Sequence, residues 1–466
     1  MINRKALGGT DGFRGEATNA YGPGLMNLET VAGLSYALTL RQNGGKGGGL
    51  VVVGRDTRPS GPELMSAATS GVLEAGADVL SLGVAPTPAV LRSVNKYGAI
   101  AGIVITASHN PYTDNGWKGT IGCDKPYGQE VKDIDDLYWD QVESGLVVPT
   151  TNAEVNVHPE IIGEYIEDVA VYIESEFGEM PLQDSIFVTD TANGAAMNVA
   201  PKVLRRLGAI VEEFASDGSA PINQGTGATD LSGVQKFLME RPELVRDPRF
   251  RGVLANDGDG DRMIGMGVSF DNAGMMVFSE LDGNRVTELL STGQPGVVAT
   301  EYANNASIER VRASGAGFEL CPNGDVEVTR ALRRLGWVRG GEFTGHHVDL
   351  NWLSSGDGIL MSAWVAAYTA KNNTTIDAVN ASLPLWPEKM RKLTVKKGMG
   401  TIALADEAVM EAISVSTQEV GEGLRFVVRE SGTERDAMRI WGVGRNKDMV
   451  DARTKQILDA MMPYAA

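Results

Sequence analysis

The chain has 466 residues, of which 42% are hydrophobic and 22% are charged, and its formal net charge is −18. This length predicts several domains, and the strong negative charge argues against general binding of nucleic acid. No apolar run could span a bilayer, the start leads into no secretory core, and only Cys123 and Cys321 occur, so we expect a cytoplasmic protein without membrane segment, disulfide framework or zinc site.

A strand–helix–strand pattern occurs three times along the chain. In the first copy the strands are expected at 50–54 and 77–82, with the helix at 62–75 between them. In the second copy the strands are expected at 186–190 and 209–214 and the helix at 196–207. In the third copy the strands are expected at 297–300 and 317–320 and the helix at 304–313. Gly76 and Gly208 directly follow the first two helices, as is typical of a helix C-terminus. Repeated units of this kind predict α/β layers with helices packed on strands.

The C-terminal part has a different pattern. Helices are expected at 405–413 and 447–462, with strands at 424–429 and 439–443 between them. The sequence therefore predicts three similar α/β domains followed by a smaller α+β domain. Junctions rich in turn residues place the four domains at 1–152, 153–272, 273–374 and 375–466.

Ser108 lies in a polar loop that directly follows an apolar strand. The strand is expected at 99–105, and the loop runs from Thr106 through His109 to Pro111. The carboxyl end of such a strand is where α/β proteins bind ligands, and the Asn110–Pro111 pair starts a turn. The alternative is a serine that caps a helix beside a solvated histidine.

Three aspartates alternate with glycines in the loop after the apolar residues 252–255. In an extended loop the carboxylates of Asp257, Asp259 and Asp261 can converge, and such oxygen ligands suit Mg²⁺. An EF-hand is excluded, because Arg262 and Val268 stand where Gly and Glu are required. A solvated acidic turn is the alternative.

Two further loops combine polar groups of mixed type. The loop at 340–347 offers hydrogen-bonding groups suited to sugar hydroxyls or amines, and the loop at 429–435 offers an arginine fork and hydroxyls suited to an anion. A plain surface turn is the alternative for each. Basic residues also occur in the glycine-rich loop 9–15, which contains Arg14, and shortly after the serine loop, at Lys118.

In their order along the chain these motifs resemble those of the α-D-phosphohexomutase superfamily. The Gly9–Gly15 opening is most similar to the bacterial phosphoglucosamine mutase branch, and the resemblance extends to about Gly444. It implies four domains around a central cleft and a serine, Ser108, that carries the transferable phosphate. By motif match Asp257, Asp259 and Asp261 would bind Mg²⁺ with the oxygen of phosphorylated Ser108, and Glu342, Thr344 and His346 would bind the sugar. The match also implies that Arg429, Ser431, Gly432 and Thr433 bind the phosphate that is not transferred, and that Arg14, Lys118 and Arg262 line the transfer site. In the implied reaction Arg262 helps to spread the phosphoryl charge, and Lys118 or His109 assists proton transfer.

The resemblance implies an isomerase that converts glucosamine 6-phosphate into glucosamine 1-phosphate. The expected cofactors are Mg²⁺ and a hexose bisphosphate, which serves as primer and intermediate. The expected partner is the hexose phosphate substrate, and neither nucleic acid nor a membrane is expected. The chain departs from the family pattern where Thr344 stands for a serine, Arg435 for a proline and Val326 for an arginine. The arginine that follows in the phosphate loop, Arg439, also comes one residue late. A mutase for glucose or mannose phosphates, and a phosphosugar-binding protein without turnover, are the alternatives.

Overall fold

The computed structural model describes residues 4, 7, 9, 11–150, 156–418, 423–430 and 436–466, without the side chains of 415–418. Four β-sheets follow one another along the described chain, each with its own helices. The predicted α/β class is therefore confirmed. No helix in these ranges is long and apolar enough to cross a membrane.

The first sheet has five strands in the order β1–β5–β4–β2–β3. Its elements are β1 (Phe13–Glu16), α1 (Leu28–Gln42), β2 (Leu50–Arg55), α2 (Gly61–Glu74), β3 (Asp78–Val84), α3 (Thr87–Tyr97), β4 (Ala101–Ile105), β5 (Asp114–Gly119) and α4 (Gln129–Ser144). Helices α1, α2 and α4 cover one face, where Val51, Val53 and Ile103 are fully buried. Continuous apolar runs such as β4 fit strands that are covered on both faces.

The second sheet has five strands in the order β10–β9–β8–β6–β7. Its elements are α5 (Glu160–Phe177), β6 (Ile186–Asp190), α6 (Ala200–Arg206), β7 (Ile210–Phe214), α7 (Ser232–Met239), α8 (Pro242–Arg246), β8 (Phe250–Asn256), β9 (Met263–Phe270) and β10 (Met276–Leu281). Strands β9 and β10 form an antiparallel hairpin. The expected domain boundary at 272 therefore falls in the turn of a hairpin.

The third sheet has four strands in the order β12–β11–β13–β14. Its elements are α9 (Gly283–Leu290), β11 (Gly296–Thr300), α10 (Asn305–Ala313), β12 (Gly317–Cys321), α11 (Asp325–Leu335), β13 (Arg339–Gly341), β14 (His347–Asp349), α12 (Gly358–Lys371) and α13 (Ile376–Ser382). Helix α12 is apolar on almost every side and is accordingly buried, packing on α5, α6 and β8 of the second sheet. The second and third sheets thus share one core.

The fourth sheet is antiparallel, with three strands in the order β15–β17–β16. Its elements are β15 (Glu388–Thr394), α14 (Gly400–Leu404), α15 (Glu407–Gln418), β16 (Arg425–Glu430), β17 (Ala437–Val443) and α16 (Lys447–Met461), followed by a 3-10 turn (Met462–Tyr464). This arrangement matches the predicted α+β class of the C-terminal part.

The first three sheets share one topology. In each sheet three parallel strands lie side by side, and a fourth strand pairs antiparallel with the third. The strand orders are β3–β2–β4–β5, β7–β6–β8–β9 and β12–β11–β13–β14. The strand–helix–strand units predicted from the sequence are the first two parallel strands of each sheet. Gly76 and Gly208 end their helices at positive φ, as expected.

Candidate active site

Three polar loops occupy the same place in three sheets, the turn between the third parallel strand and the antiparallel strand. They are the serine loop between β4 and β5, the acidic loop between β8 and β9, and the loop between β13 and β14 that the sequence predicts to bind sugar, which we call the sugar loop. Ser108 Oγ donates to Asp257 Oδ2 at 2.7 Å, which joins the first two loops. The Met263 N–H donates to the Gly345 carbonyl at 3.0 Å, which joins the second and third.

Ser108 is buried and lies in the left-handed region of backbone space, at φ 53°. A side chain other than glycine is disfavoured there, so the surrounding groups must impose the conformation. The fully buried Arg58 guanidinium donates to the carbonyls of Ser108 (2.8 Å), Asn110 (2.9 Å) and Asp114 (2.8 Å), and also to that of Pro111. Ser108 neither caps a helix nor lies in solvent, in contrast to the alternative.

A second set of contacts holds the serine loop from its other sides. Asp56 pairs with Arg58 at 2.9 Å and accepts from Thr106 Oγ1 at 2.7 Å, which in turn accepts the Ser108 N–H at 2.9 Å. From the second sheet's side, Asn223 Nδ2 donates to the Ser108 carbonyl at 2.7 Å. The loop is thus held by groups from two sheets.

The acidic loop brings three buried carboxylates together. Ligand atoms of Asp257, Asp259 and Asp261 all lie within 4.8 Å of one another, and these residues are at most 2% exposed. A solvated acidic turn does not fit this burial. Asp259 Oδ1 is buried without a hydrogen-bond partner among the described residues, so an oxygen is available for a cation. The carboxylates therefore fit a hard divalent metal ion.

Positive and hydroxyl groups surround the same carboxylates. Lys118 Nζ lies 2.6 Å from Asp259 Oδ2 and 3.2 Å from Asp261 Oδ2, and Thr87 Oγ1 donates to Asp259 Oδ2 at 2.5 Å. Burial acts to lower the pKa of the Lys118 ammonium, but Asp259 and Asp261 raise it above its usual value. Burial, together with the charges of Asp261 and Asp259, raises the pKa of Asp257.

The acidic and serine loops approach so closely that glycine is required between them. A Cβ atom on Gly258 would lie 2.6 Å from the Ser108 carbonyl oxygen, a backbone atom that cannot move aside cheaply. The missing side chain therefore allows the carboxylates to reach Ser108.

The sugar loop is also buried, in contrast to the surface-turn alternative. His346 donates from Nδ1 to Glu342 Oε2 at 2.8 Å, and its Nε2 lies 2.9 Å from Asp261 Oδ1. Burial acts to lower the pKa of His346, but these two carboxylates raise it to about 10. Glu342 Oε1 accepts the Gly324 N–H at 2.8 Å, and Thr344 Oγ1 donates to Oε2 at 3.3 Å.

His109 lies beside Ser108, Arg262 lies near Asp257, and the charge of Arg14 acts on His109. His109 Nδ1 is 3.3 Å from Ser108 Oγ, and Arg262 Nε is 3.7 Å from Asp257 Oδ2. Burial, and then the charges of Arg262 and Arg14, lower the pKa of His109 to about 2, so its imidazole is neutral. Arg14 Nη1 is buried with no hydrogen-bond partner within the described ranges, which suits an anionic ligand.

Arg429 lies apart from this cluster, on β16 of the fourth sheet. Its Nε donates to the Tyr302 hydroxyl at 2.8 Å, and the Tyr302 ring packs against Phe343 of the sugar loop, with ring centroids 5.3 Å apart. Arg429 is thus linked to the sugar loop through Tyr302. Ser431, Gly432 and Thr433, and the departure at Arg435, lie outside the described residues.

Several groups around the site were not predicted from the sequence. They are Asp56, Arg58, Thr87 and Asn223, whereas Thr106 belongs to the predicted serine loop but has no predicted role. A signal was present for Asp56 and Arg58, because they directly follow β2, the parallel neighbour of β4. The carboxyl ends of neighbouring parallel strands meet at one sheet edge. No comparable signal marks Asn223, which lies in a long connection of the second sheet.

Comparisons with known proteins agree with this architecture. Residues 5–140 match the family model of phosphoglucomutase/phosphomannomutase alpha/beta/alpha domain I, and residues 276–385 match that of alpha/beta/alpha domain III. Together the two matches cover more than half of the chain.

Curated relatives match over nearly the whole length. The chain is 32% identical to the phosphoglucosamine mutase of Pseudoalteromonas translucida, over 98% of this chain and 97% of the relative. It is 33% identical to that of Bordetella petrii, over 93% and 94%, respectively.

Solved structures share the fold at lower identity. A phosphoglucomutase/phosphomannomutase family protein from Burkholderia thailandensis is 20% identical, with a TM-score of 0.77 over 100% of this chain and 99% of that one. Aspergillus fumigatus N-acetylphosphoglucosamine mutase, in complex with GlcNAc-6P and magnesium, is 16% identical, with a TM-score of 0.63 over 93% and 96%.

Proposed function

The chain belongs to the α-D-phosphohexomutase superfamily, and we propose that it interconverts glucosamine 6-phosphate and glucosamine 1-phosphate. The observation that carries the proposal is the buried contact of 2.7 Å between Ser108 Oγ and the acidic loop. It places a hydroxyl that can carry phosphate beside carboxylates that can hold a metal ion. The relatives named phosphoglucosamine mutase support the choice of substrate.

The proposed reaction is an exchange of one phosphoryl group. The bond from Ser108 Oγ to phosphorus breaks as the bond from a sugar hydroxyl oxygen to phosphorus forms, and the hydroxyl proton is returned to Ser108 Oγ. The resulting hexosamine bisphosphate turns over in the cleft, and its other phosphate returns to Ser108 by the reverse step. Such a reaction requires mainly positioning and neutralisation of charge from the protein.

We assign a part to each basic group. Arg14 and Arg262 would bind the phosphoryl oxygens, which is supported by the buried Arg14 Nη1 without a hydrogen-bond partner among the described groups and by the contact of Arg262 with Asp257. His109, at 3.3 Å from Ser108 Oγ, and Lys118 are the candidates for proton transfer. Mg²⁺ held by Asp257, Asp259, Asp261 and an oxygen of phosphorylated Ser108 would supply further neutralisation of the phosphoryl charge.

The other end of the substrate is assigned to the third and fourth sheets. Glu342, Thr344 and His346 would bind the sugar, and Arg429 with Ser431, Gly432 and Thr433 would bind the phosphate that is not transferred. This division supports the four-domain organisation predicted from the sequence, which we keep as part of the proposal. Each end of the sugar must then reach Ser108 in turn.

A comparison of three substrates tests the proposal. The 6-phosphates of glucosamine, glucose and mannose are supplied separately, each with a trace of its bisphosphate and Mg²⁺, and formation of the 1-phosphate is followed in a coupled assay. We expect the highest kcat/KM with glucosamine 6-phosphate. A preference for glucose or mannose would overturn the substrate assignment, and no turnover of any of them would indicate a phosphosugar-binding protein.

A further inference from the structure

The loop that follows β5 makes a continuous contact with the third sheet's elements, and the proposed function does not use it. Residues 123–127 lie against α11 and residues 354–356; we call this contact the seam. Ser354 Oγ donates to the Cys123 carbonyl at 3.4 Å, and the Arg330 guanidinium lies 3.8 Å from the centroid of the Tyr127 ring. The seam joins the first sheet's part of the chain to the third sheet's part.

Lys125 lies at the centre of the seam and binds two carboxylates. Its Nζ donates to Asp325 Oδ1 at 2.7 Å and to Asp11 Oδ1 at 2.8 Å. The side chains of Lys125 and Asp325 are 6% and 3% exposed, respectively, whereas Asp11 is 44% exposed. A buried ion pair with short hydrogen bonds holds its partners in a defined geometry.

A second ion pair crosses the same seam in a different environment. Arg333 Nη2 lies 2.8 Å from Asp124 Oδ1, but these side chains are 51% and 43% exposed. Exposed pairs contribute little, because water and salt screen them. Lys125 is therefore the group that can fix the seam, and Arg333 provides a matched control.

Both partners of Lys125 adjoin residues of the proposed site. Asp11 precedes Arg14 by three residues, in the turn that leads into β1. Asp325 directly follows Gly324, whose N–H donates to Glu342 Oε1 at 2.8 Å. Ser355 Oγ also donates to Asp325 Oδ2 at 3.1 Å, which holds the carboxylate toward Lys125.

We propose that Lys125 is a positioning residue that fixes the distance between the sugar loop and the phosphoryl-transfer site. The inference rests on the proposed function, which assigns substrate contacts to Glu342 and Arg14. Without the ammonium, the hydrogen bonds that link Asp11 to Asp325 through Lys125 are lost, and the two sides of the seam are no longer held at a fixed distance. A substrate that contacts both the sugar loop and Arg14 must then use part of its binding free energy to bring the two sides together, which raises KM.

Four variants test the role of Lys125. Lys125→Met leaves Asp325 buried and unpaired and is expected to lose stability, so its kinetics alone would be ambiguous. Lys125→Met/Asp325→Asn removes both charges while an amide oxygen can still accept from Ser355. Lys125→Arg keeps the positive charge, and Arg333→Gln breaks only the exposed pair.

Each variant is measured for KM and kcat with the preferred hexose 6-phosphate, for the midpoint of thermal unfolding, and for uptake of phosphate from the bisphosphate by intact mass. For the double variant we expect a near-native midpoint, normal phosphate uptake, and a KM raised about tenfold with little change in kcat. Lys125→Arg should have a KM close to that of the wild-type protein, and Arg333→Gln should leave KM unchanged.

A double variant with the wild-type KM would overturn the positioning role, and so would an equal rise in KM for Arg333→Gln. Loss of stability without a change in KM of the folded protein would make Lys125 merely structural. If the wild-type protein converts none of the hexose phosphates, the proposed function fails first and the inference fails with it. The wild-type assay distinguishes that case from the others.

Discussion

Replacing Arg58 by methionine tests whether the hydrogen bonds of Arg58 impose the conformation of the serine loop. Arg58 is fully buried, pairs with Asp56, and donates to four carbonyls in the segment from Ser108 to Asp114. Methionine fills a similar volume but removes the charge and every donor. The variant therefore separates the filling of space from the hydrogen bonding that holds Ser108 at positive φ.

The expected losses follow from this environment. Removing one partner of a buried ion pair costs roughly 3–5 kcal/mol. A loss of this size lowers the midpoint of thermal unfolding by on the order of 10 °C in a domain of about 150–250 residues. Once its carbonyl is released, Ser108 can move relative to Asp257, and a displacement of about 1 Å costs roughly 100-fold in rate.

The assay combines thermal unfolding with kcat/KM for the hexose phosphate. Arg58→Met/Asp56→Asn removes the unpaired carboxylate, so it should recover stability but not the rate. Arg55→Met is the control, because Arg55 donates to the Asp56 carbonyl at 2.9 Å and to no serine-loop carbonyl in the described contacts. A folded Arg58→Met protein with the wild-type kcat/KM would refute the argument.

Two further predictions concern the acidic loop and a buried carboxyl of the second sheet. Asp259→Asn should weaken binding of Mg²⁺ by about tenfold or more, measured by calorimetric titration, and an unchanged affinity would argue against the metal site. EDTA should abolish turnover of the wild-type protein until Mg²⁺ is returned. Burial raises the pKa of Asp190 to about 7, so its stabilising contribution is complete below about pH 4 and declines as the pH rises through about 7. Asp190→Asn should therefore gain stability relative to the wild-type protein as the pH rises from about 4 to about 7 in thermal unfolding, whereas parallel curves for the two proteins would contradict this.

The parts of the fold that were predictable depend on local patterns. The apolar run of β4 and the polar residues after it were enough to place Ser108 at the carboxyl end of a strand, and the alternation of Asp and Gly was enough to place the acidic loop. Both signals lie within a few residues of the chain. These two loops are two of the three equivalent turns between the third parallel strand and the antiparallel strand. The three strand–helix–strand units in the sequence predict that the three sheets are similar.

The parts that were missed depend on contacts between distant residues. Asn223 binds the serine loop across 115 positions, and Lys125 binds Asp325 across 200 positions. Neither contact has a local periodicity that could reveal it. The sequence predicts a junction at Asp271–Gly274 because turn residues are common to linkers and hairpins, and only the pairing of β9 with β10 distinguishes the two.

The central claim is that Ser108 carries the phosphoryl group. The most direct test is to incubate the protein with the hexosamine bisphosphate and Mg²⁺, and to measure its intact mass and the modified peptide. We predict uptake of one phosphoryl group on Ser108 in the wild-type protein, and no uptake or turnover in Ser108→Ala, which should still bind the sugar phosphate. Phosphorylation at another residue, or full turnover by Ser108→Ala, would contradict the account.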